Sequence, residues 1–214
     1  MRSLFLRHSV KADMAQINWY LKRAVFPFIR GMSQFYFFKS AATPPLIAKR
    51  VEIIYRRKIA LGKFVYIGSN SFINAYSKDG IRLGNRVTIR EYGYIQGSSS
   101  PRNPGEGLTI GDNVYIGPRS NFGVGGKISI GAQSLIGADL TVVSENHSFD
   151  DKGVSSTLVT RAGISIGERC WIGHRVTILD GVVIGDNTII GAGSVVTKSF
   201  PAGSRIAGVP ARCL

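Results

Sequence analysis

The 214-residue sequence is poor in cysteine and in long apolar runs, and each scarcity excludes a class of protein. Its two cysteines, Cys170 and Cys213, form no CxxC pair, which argues against a disulfide scaffold or a cysteine-rich zinc site and favours a reducing compartment. No apolar run approaches the ~18 residues of a membrane-spanning helix. Arg7 and His8 interrupt the first apolar stretch, and no small-residue cleavage site follows it, so we expect a cytoplasmic protein without a signal peptide.

Acidic residues are also scarce, 13 against 27 Lys and Arg, but the imbalance is local. Residues 1–66 carry a net charge of +11, whereas residues 67–214 carry only +3. Because the excess belongs to one segment, it does not indicate nucleic-acid binding by the whole chain, and we expect no nucleic-acid partner. The same segment holds eight aromatic residues between positions 19 and 38. The sequence therefore divides into a basic, aromatic-rich N-terminal region, residues 1–62, and a second domain, residues 63–214.

A six-residue period dominates the second domain. In the stretch LTIGDNVYIGPRSNFG the same-facing pairs are Leu108/Ile110 and Val114/Ile116, and two later blocks extend the pattern to twelve pairs. Glycine follows nine of the twelve pairs, although it makes up only 26 of the 214 residues. Two same-facing residues around one outward residue make a short strand, and the glycine with a polar pair such as 112–113 makes a turn that tolerates unusual φ. Strand and turn repeated every six residues predict an all-β parallel β-helix.

Two insertions interrupt this period, and loops inserted into a repeat are where function concentrates. The first, residues 97–107, is polar and contains two prolines. The second, residues 144–163, separates Val142 from Ile166 by 24 residues, which is four whole hexapeptides. The short strands of the repeat, called rungs below, therefore stay in register with the six-residue period on both sides of a protruding loop.

His147 is the candidate general base, because it lies in the larger insertion among carboxylates and an amide. Such neighbours can hold the ring and stabilise its protonated form. Glu145, Asn146 and Asp150 are the candidates for orienting the ring, and their spacing does not choose among them. A zinc site built from three coil histidines is not expected, since His174 is the only other histidine in this domain.

The C-terminal stretch CWIGHRVTILDGVVIGDNTIIGAGSVVTKSFPAGSRIAGVPAR resembles the end of the hexapeptide-repeat acyltransferases. The resemblance is to the branch of maltose, galactoside and streptogramin acetyltransferases and of capsule and O-antigen acetyltransferases, and it runs from about Val65 to Arg212. It implies a left-handed β-helix with three hexapeptides per coil, about six coils in all. It further implies acetyl transfer from acetyl-CoA to a sugar hydroxyl, and a homotrimer whose sites lie between neighbouring subunits.

The resemblance also assigns roles to residues. The family's catalytic histidine precedes the WIG element by one to two coils, which matches His147, and RSNFG resembles the position of an acceptor-holding asparagine, which is Asn121 here. His147 would take the acceptor proton during direct attack on the thioester, while a backbone N–H of Gly173 or His174 would stabilise the oxyanion. The further residues expected at the coenzyme are Trp171, Gly191 and Ala192 along its arm, and Thr197, Lys198, Arg205 and Arg212 near its phosphates.

The N-terminal region, residues 1–62, departs from the compact sugar acetyltransferases and is expected to be mostly helical, including AKRVEIIYRRK at residues 48–58. It would either cap the open end of the β-helix or lie as an interfacial anchor on an anionic membrane. The anchor suits lipid-linked glycan acceptors at the inner leaflet, as in surface-polysaccharide assembly. Two alternative functions are N-acetylation of a nucleotide-linked amino sugar and a non-catalytic β-helix assembly module, for which unbroken coils would be expected.

Overall fold

The hexapeptide rungs fold into strands of two to four residues that stack in parallel on three faces. The computed structural model describes residues 14–98, 102–151 and 153–214. The chain passes from face A to face B to face C and then returns to face A one coil further along. It is therefore a parallel β-helix with three strands in each coil, as predicted.

The strands, numbered along the chain, are distributed over the three faces and one hairpin. Face A contains β1 (Ser40–Ala41), β4 (Ile59–Leu61), β7 (Ile81–Leu83), β10 (Gly107–Ile110), β13 (Lys127–Ile130), β18 (Ile164–Ile166) and β21 (Val183–Ile184). Face B contains β2 (Leu46–Ile47), β5 (Tyr66–Ile67), β8 (Thr88–Ile89), β11 (Tyr115–Ile116), β14 (Leu135–Ile136), β19 (Trp171–Ile172), β22 (Ile189–Ile190), β24 (Arg205–Gly208) and the antiparallel β25 (Ala211–Cys213). Face C contains β3 (Glu52–Ile54), β6 (Phe72–Asn74), β9 (Tyr94–Gln96), β12 (Asn121–Gly123), β15 (Thr141–Val143), β20 (Thr177–Leu179) and β23 (Val195–Val196). The hairpin consists of β16 (Asn146–Asp150) and β17 (Gly153–Thr160).

The core consists of the residues that the period marks as inward-facing. All twelve predicted pairs are buried, and none of their members is more than 3% exposed. Where the inward residue is polar, its hydroxyl donates to a backbone carbonyl, as Ser120 does to Gly117 (2.9 Å) and Thr188 to Gly185 (2.8 Å). Because a buried hydroxyl without a partner would cost free energy, these bonds make small polar residues acceptable inside the coil.

The β-helix begins earlier than the sequence predicts, at Ser40, and comprises seven complete coils rather than about six. The expected boundary at residue 62 falls inside the second coil. The segment AKRVEIIYRRK is not helical: it forms β3 and a single 3₁₀ turn, Arg56–Lys58. Its buried Ile53 continues the inward series, and the surrounding cations on the corners hide that alternation in the sequence.

The glycines after the rungs have a different role from the predicted one. At the corners the residues with positive φ are mostly not glycine, as at Asn113 (58°) and Asn187 (57°). The glycine is required instead where neighbouring coils approach closely, because a Cβ on Gly117 would lie 2.5 Å from the carbonyl carbon of Gly137 in the next coil. Backbone stacking therefore selects glycine after the strand, whereas the positive-φ corners accept side chains as different as asparagine and arginine.

From residue 14 onward, the N-terminal region is helical only as far as residue 37. It comprises α1 (Met14–Tyr20), a π-helical turn (Leu21–Val25), α2 (Phe26–Gln34) and a 3₁₀ turn (Phe35–Phe37). Helix α2 packs on β2 so closely that a Cβ on Gly31 would overlap the carbonyl oxygen of Pro45. No helix among residues 14–98, 102–151 and 153–214 is long and apolar enough to cross a membrane.

Between residues 14 and 62, one aromatic side chain is buried against the end of the β-helix. Phe38 is buried and joins the core at the first coil. Most of the other aromatic side chains of this region remain exposed, namely Trp19, Tyr20, Phe26, Phe28, Tyr36 and Phe37.

We expect Gly117→Ala to destabilise the protein by ~1–3 kcal/mol, because the added Cβ must push two coils apart. Gly123→Ala is the matched control, since Gly123 also follows a rung but the nearest atom to its Cβ would be 3.8 Å away. Chemical denaturation of both variants measures the difference. Equal stability of the two would contradict the role of Gly117 in coil stacking.

Candidate active site

The two insertions meet in one cleft on the edge between faces C and A. Both leave the coil after a strand of face C, the first after β9 and the second after β15, with only β12 between them. Adjacent parallel strands lie ~4.8 Å apart, so the two exits are separated by about 10 Å. The cleft has a volume of about 560 Å³, and its walls include Ser98, Arg102 and Asn103 from the first insertion and His147 and Arg161 from the second.

Arg161 connects the two insertions. Its Nε and Nη2 atoms lie 2.7 and 2.6 Å from Oε2 of Glu145, and its Nη1 donates to the carbonyl oxygen of Pro104 at 3.1 Å. Its side chain is only 15% exposed, so this charge-assisted pair is partly shielded from water. Sequence reasoning did not single out Arg161, because nothing in its spacing shows that the two insertions are neighbours.

Asp180 holds the base of the β16–β17 hairpin. Its Oδ1 accepts the N–H of Gly163 at 2.8 Å, and its Oδ2 accepts the N–H of Ala162 at 3.0 Å. The amide nitrogen of Asn146 lies 3.5 Å from the same Oδ2. One carboxylate on the next coil therefore contacts both ends of the insertion, and the sequence carries no signal for this role beyond an acidic residue at a corner.

His147 lies on β16 at the cleft, and its ring contacts a backbone carbonyl. Its Nδ1 is 3.3 Å from the carbonyl oxygen of Ser155 on β17. Because a carbonyl oxygen only accepts, this contact places the proton on Nδ1 and leaves the lone pair on Nε2. That tautomer is the one in which Nε2 can take a proton.

Two of the three residues predicted to orient His147 have other partners. Glu145 is paired with Arg161, and the amide of Asn146 faces Asp180. The side chain of Asp150 lies outside the described part of the chain. The spacing of polar side chains could not indicate Ser155, because its contribution comes from the backbone.

Asn121 is not part of the cleft wall. It is exposed on β12, two residues before Gly123, which does line the cleft. The structure therefore places Asn121 on the neighbouring surface of face C and does not bring it together with His147.

A second, more apolar groove of about 360 Å³ follows face B. Outward side chains of successive coils stack along it, with Tyr115 beside Leu135, Leu135 beside Trp171 and Trp171 beside Ile189. The corner residues Gly173, His174, Gly191 and Ala192 form its other wall. Five predicted coenzyme residues therefore share one groove. Tyr115 and Leu135 were missed because the middle residue of a rung is outward whether or not it binds anything.

One of the two candidate oxyanion donors is already occupied. The N–H of Gly173 donates to the carbonyl oxygen of Ile190 at 2.8 Å within the face B ladder. It is therefore not available to a developing oxyanion, which corrects the prediction for Gly173. His174 remains the candidate donor at this corner.

The four residues predicted near the coenzyme phosphates divide into two pairs. Arg205 lies beside Ile189 and continues the groove, and Arg212 lies on β25, which pairs with β24 at the same end. Thr197 and Lys198 follow β23 on the edge between faces C and A, where the Nζ of Lys198 sits 5.6 Å from the ring centre of Phe200. That edge is also the one from which the β16–β17 hairpin emerges, two coils earlier.

The cysteines have no role at either site. Cys170 is buried in the core, and this burial raises the pKa of its thiol, so it is poorly suited to act as a nucleophile. Cys213 is exposed, and neither cysteine forms a disulfide. Within the described residues, no cluster of three His, Cys, Asp or Glu side chains could hold a metal ion.

Two family models match the repeat. The model for the bacterial transferase hexapeptide (six repeats) matches residues 163–198, and that for the hexapeptide repeat of succinyl-transferase matches residues 107–143.

Several proteins of known name resemble this chain. A putative colanic acid biosynthesis acetyltransferase of Escherichia coli, WcaF, is 38% identical over 104 residues, which are 49% of this chain and 56% of the relative. Galactoside O-acetyltransferase of Escherichia coli is 34% identical over 126 residues, 50% of this chain and 62% of the relative. The matched part thus spans less than two thirds of either relative.

A likeness over most of the chain is found among solved structures. A mutant of AntD, an N-acyltransferase from Bacillus cereus in complex with dTDP and coenzyme A, superimposes with a TM-score of 0.56 at 20% identity and covers 86% of both chains. This likeness concerns the fold. Repeat, fold and relatives agree in showing that the chain is similar to the bacterial hexapeptide-repeat transferases, among them named sugar and polysaccharide acetyltransferases.

Proposed function

We propose that this protein is a cytoplasmic O-acetyltransferase that moves an acetyl group from acetyl-CoA to a sugar hydroxyl of a bacterial surface polysaccharide, such as a capsule or O-antigen, or of its lipid-linked precursor. The observation that carries the proposal is the contact of His147 Nδ1 with the Ser155 carbonyl oxygen at a polar cleft, because a proton held there leaves Nε2 as a base. The names of the two Escherichia coli relatives agree with this chemistry.

The groove on face B is the proposed site of acetyl-CoA. The side chains of Leu135, Trp171 and Ile189 offer an apolar floor for the arm that carries the thioester, and the small residues Gly191 and Ala192 keep one wall low. At the C-terminal end of the face, the guanidinium groups of Arg205 and Arg212 supply positive charge for phosphates.

The complete site is proposed to form between two copies of the chain. His147 projects from the edge between faces C and A, whereas the groove follows face B, so one chain offers the two halves on different surfaces. A homotrimer would set the hairpin of one subunit against the groove of the next. This arrangement also accounts for the divided cations, since Lys198 would approach the coenzyme from the subunit that supplies His147, and Arg205 from the subunit that binds it.

The proposed reaction is a direct transfer. Nε2 of His147 takes the proton of the acceptor hydroxyl as its oxygen attacks the thioester carbonyl. The N–H of His174 stabilises the resulting oxyanion, and the Ser155 carbonyl stabilises the protonated ring. Collapse of the intermediate breaks the carbon–sulfur bond, and the imidazolium returns the proton to the thiolate of coenzyme A. The polar side chains of Ser98 and Asn103 are placed to contact the sugar.

We expect His147→Ala to lower turnover by roughly 10²–10⁴ while leaving the fold intact, because the side chain is exposed on a hairpin and supplies only the base. Thiol release from acetyl-CoA with a sugar acceptor measures the rate, and mild alkali removes the product acetyl if it is an ester but not if it is an amide. Phe149→Ala, at an exposed position on the same strand, is the control and should retain activity. A near wild-type rate in His147→Ala would refute the mechanism, and an alkali-stable product would favour N-acetylation.

A shared site predicts complementation between two inactive variants. Leu135→Arg should block the groove and His147→Ala remove the base, so each variant alone should be inactive. When the two are mixed as unfolded chains and refolded together, about a quarter of the interfaces should combine an intact hairpin with an intact groove, and activity should return to roughly that fraction. No recovery in demonstrably mixed oligomers would mean that both halves of the site belong to one chain.

The cations at the groove are expected to act on coenzyme binding. Lys198→Glu and Arg205→Glu should raise KM for acetyl-CoA more than they lower kcat, because phosphates are held equally in the ground and transition states. Arg82→Glu, on the exposed surface of face A, is the charge-matched control. A main effect on KM for the sugar would show that the coenzyme lies elsewhere.

A further inference from the structure

Helix α2 turns its apolar side chains toward solvent instead of toward the β-helix. The side that packs on β2 carries small or compact residues, with Pro27 and Gly31 buried. The opposite side carries Phe28, Ile29 and Met32, which are 44%, 57% and 51% exposed. A surface helix in water normally shows the reverse polarity, with its apolar stripe against the core.

Further large apolar side chains are exposed before and after α2 in the chain. Exposed large side chains occur on α1 at Met14, Ile17, Trp19 and Tyr20, and on the 3₁₀ turn at Tyr36 and Phe37. Trp19 and Tyr20 combine an aromatic body with a polar tip, and the guanidinium of Arg23 lies 5.3 Å from the centre of the Trp19 ring. We call the exposed apolar and aromatic side chains of this segment the outer stripe, namely Met14, Ile17, Trp19, Tyr20, Phe28, Ile29, Met32, Tyr36 and Phe37.

The charged residues of the segment that carries the outer stripe all have one sign. No Asp or Glu occurs between residues 14 and 51, whereas cations occur at Lys22, Arg23, Arg30, Lys39, Lys49 and Arg50. Lys22 and Lys39 are exposed within or next to the helices, and the exposed Lys49 follows β2, the strand on which α2 packs. The ion pair of Arg23 with Glu91, at 3.7 Å, joins this segment to the side of the β-helix.

We propose that the outer stripe docks on the surface of an anionic lipid membrane, with its aromatic and aliphatic side chains in the head-group layer and the surrounding cations against the lipid phosphates. Aromatic and aliphatic residues flanked by Lys and Arg on short helices suit a segment that lies in the interface. A second copy of the chain is a poorer partner for the outer stripe, because placing two such segments face to face would bring like charges together. The inference does not depend on the acetyl-transfer reaction.

Flotation of the full-length protein with vesicles tests the proposal. The protein should float with vesicles of phosphatidylcholine containing phosphatidylglycerol and remain unbound with vesicles of phosphatidylcholine alone. Because the attraction between exposed charges falls within a Debye length, bound protein should be released as salt rises. Brominated lipids should quench the fluorescence of Trp19 in a Trp171→Phe background.

Two pairs of matched variants identify the surface. Phe28→Ser/Met32→Ser and Lys22→Glu/Lys39→Glu should each weaken binding to anionic vesicles at least about tenfold. Val154→Ser/Val183→Ser and Arg82→Glu/Lys127→Glu remove exposed apolar and basic groups elsewhere and should bind like the wild type. Transfer to a water-soluble sugar without vesicles, measured in parallel, should not change in Phe28→Ser/Met32→Ser.

Three outcomes would overturn the proposal: no flotation of the wild type, flotation undiminished by the stripe variants, or a wild-type oligomer that Phe28→Ser/Met32→Ser dissociates. The last outcome would assign the stripe to a second copy. If the protein fails to bind vesicles but still transfers acetyl groups, the docking proposal fails and the proposed function stands. If it floats with vesicles but transfers no acetyl group, only the proposed function fails.

Discussion

The stacking of one coil on the next is the constraint on which the rest of this structure depends. Each rung donates and accepts backbone hydrogen bonds with the coils on both sides, and its two inward residues meet equivalent residues above and below. The close approach that fills the core leaves no room for a Cβ at positions such as Gly117. Chemistry is therefore confined to the outward middle residues of the rungs, to the corners and to the insertions.

Much of this arrangement can be predicted from the sequence, because a six-residue repeat is visible within short stretches of the chain. The inward pairs from Leu108 onward were predicted residue by residue, and the insertion around His147 was recognised because it interrupts that period. The first coil and the first strand of the second were missed, since cations at their corners and outward positions disguise inward residues such as Ile53 as part of a helix.

The parts of the site that sequence reasoning could not reach depend on backbone groups or on contacts between distant segments. The Ser155 carbonyl beside His147 is a backbone group that every residue possesses, so only its position gives it a role. Arg161 and Pro104 are 57 residues apart in the chain, and their contact follows from two insertions leaving the same edge. Whether a backbone N–H is available to stabilise an oxyanion likewise depends on the carbonyl that it faces. This is why Gly173, which donates to the carbonyl oxygen of Ile190, was ruled out and His174 was kept.

The clamp that Asp180 forms at the foot of the hairpin has a consequence for how such a protein can diversify. Because one carboxylate of the next coil gathers Asn146, Ala162 and Gly163, the residues between them can change in length and composition while both ends stay fixed. The groove along face B lies on a separate surface and is built by other rungs. Under the proposed function, evolution can exchange the recognition of the acceptor without redesigning that of the coenzyme, because a single modular segment is replaced on an unchanged scaffold.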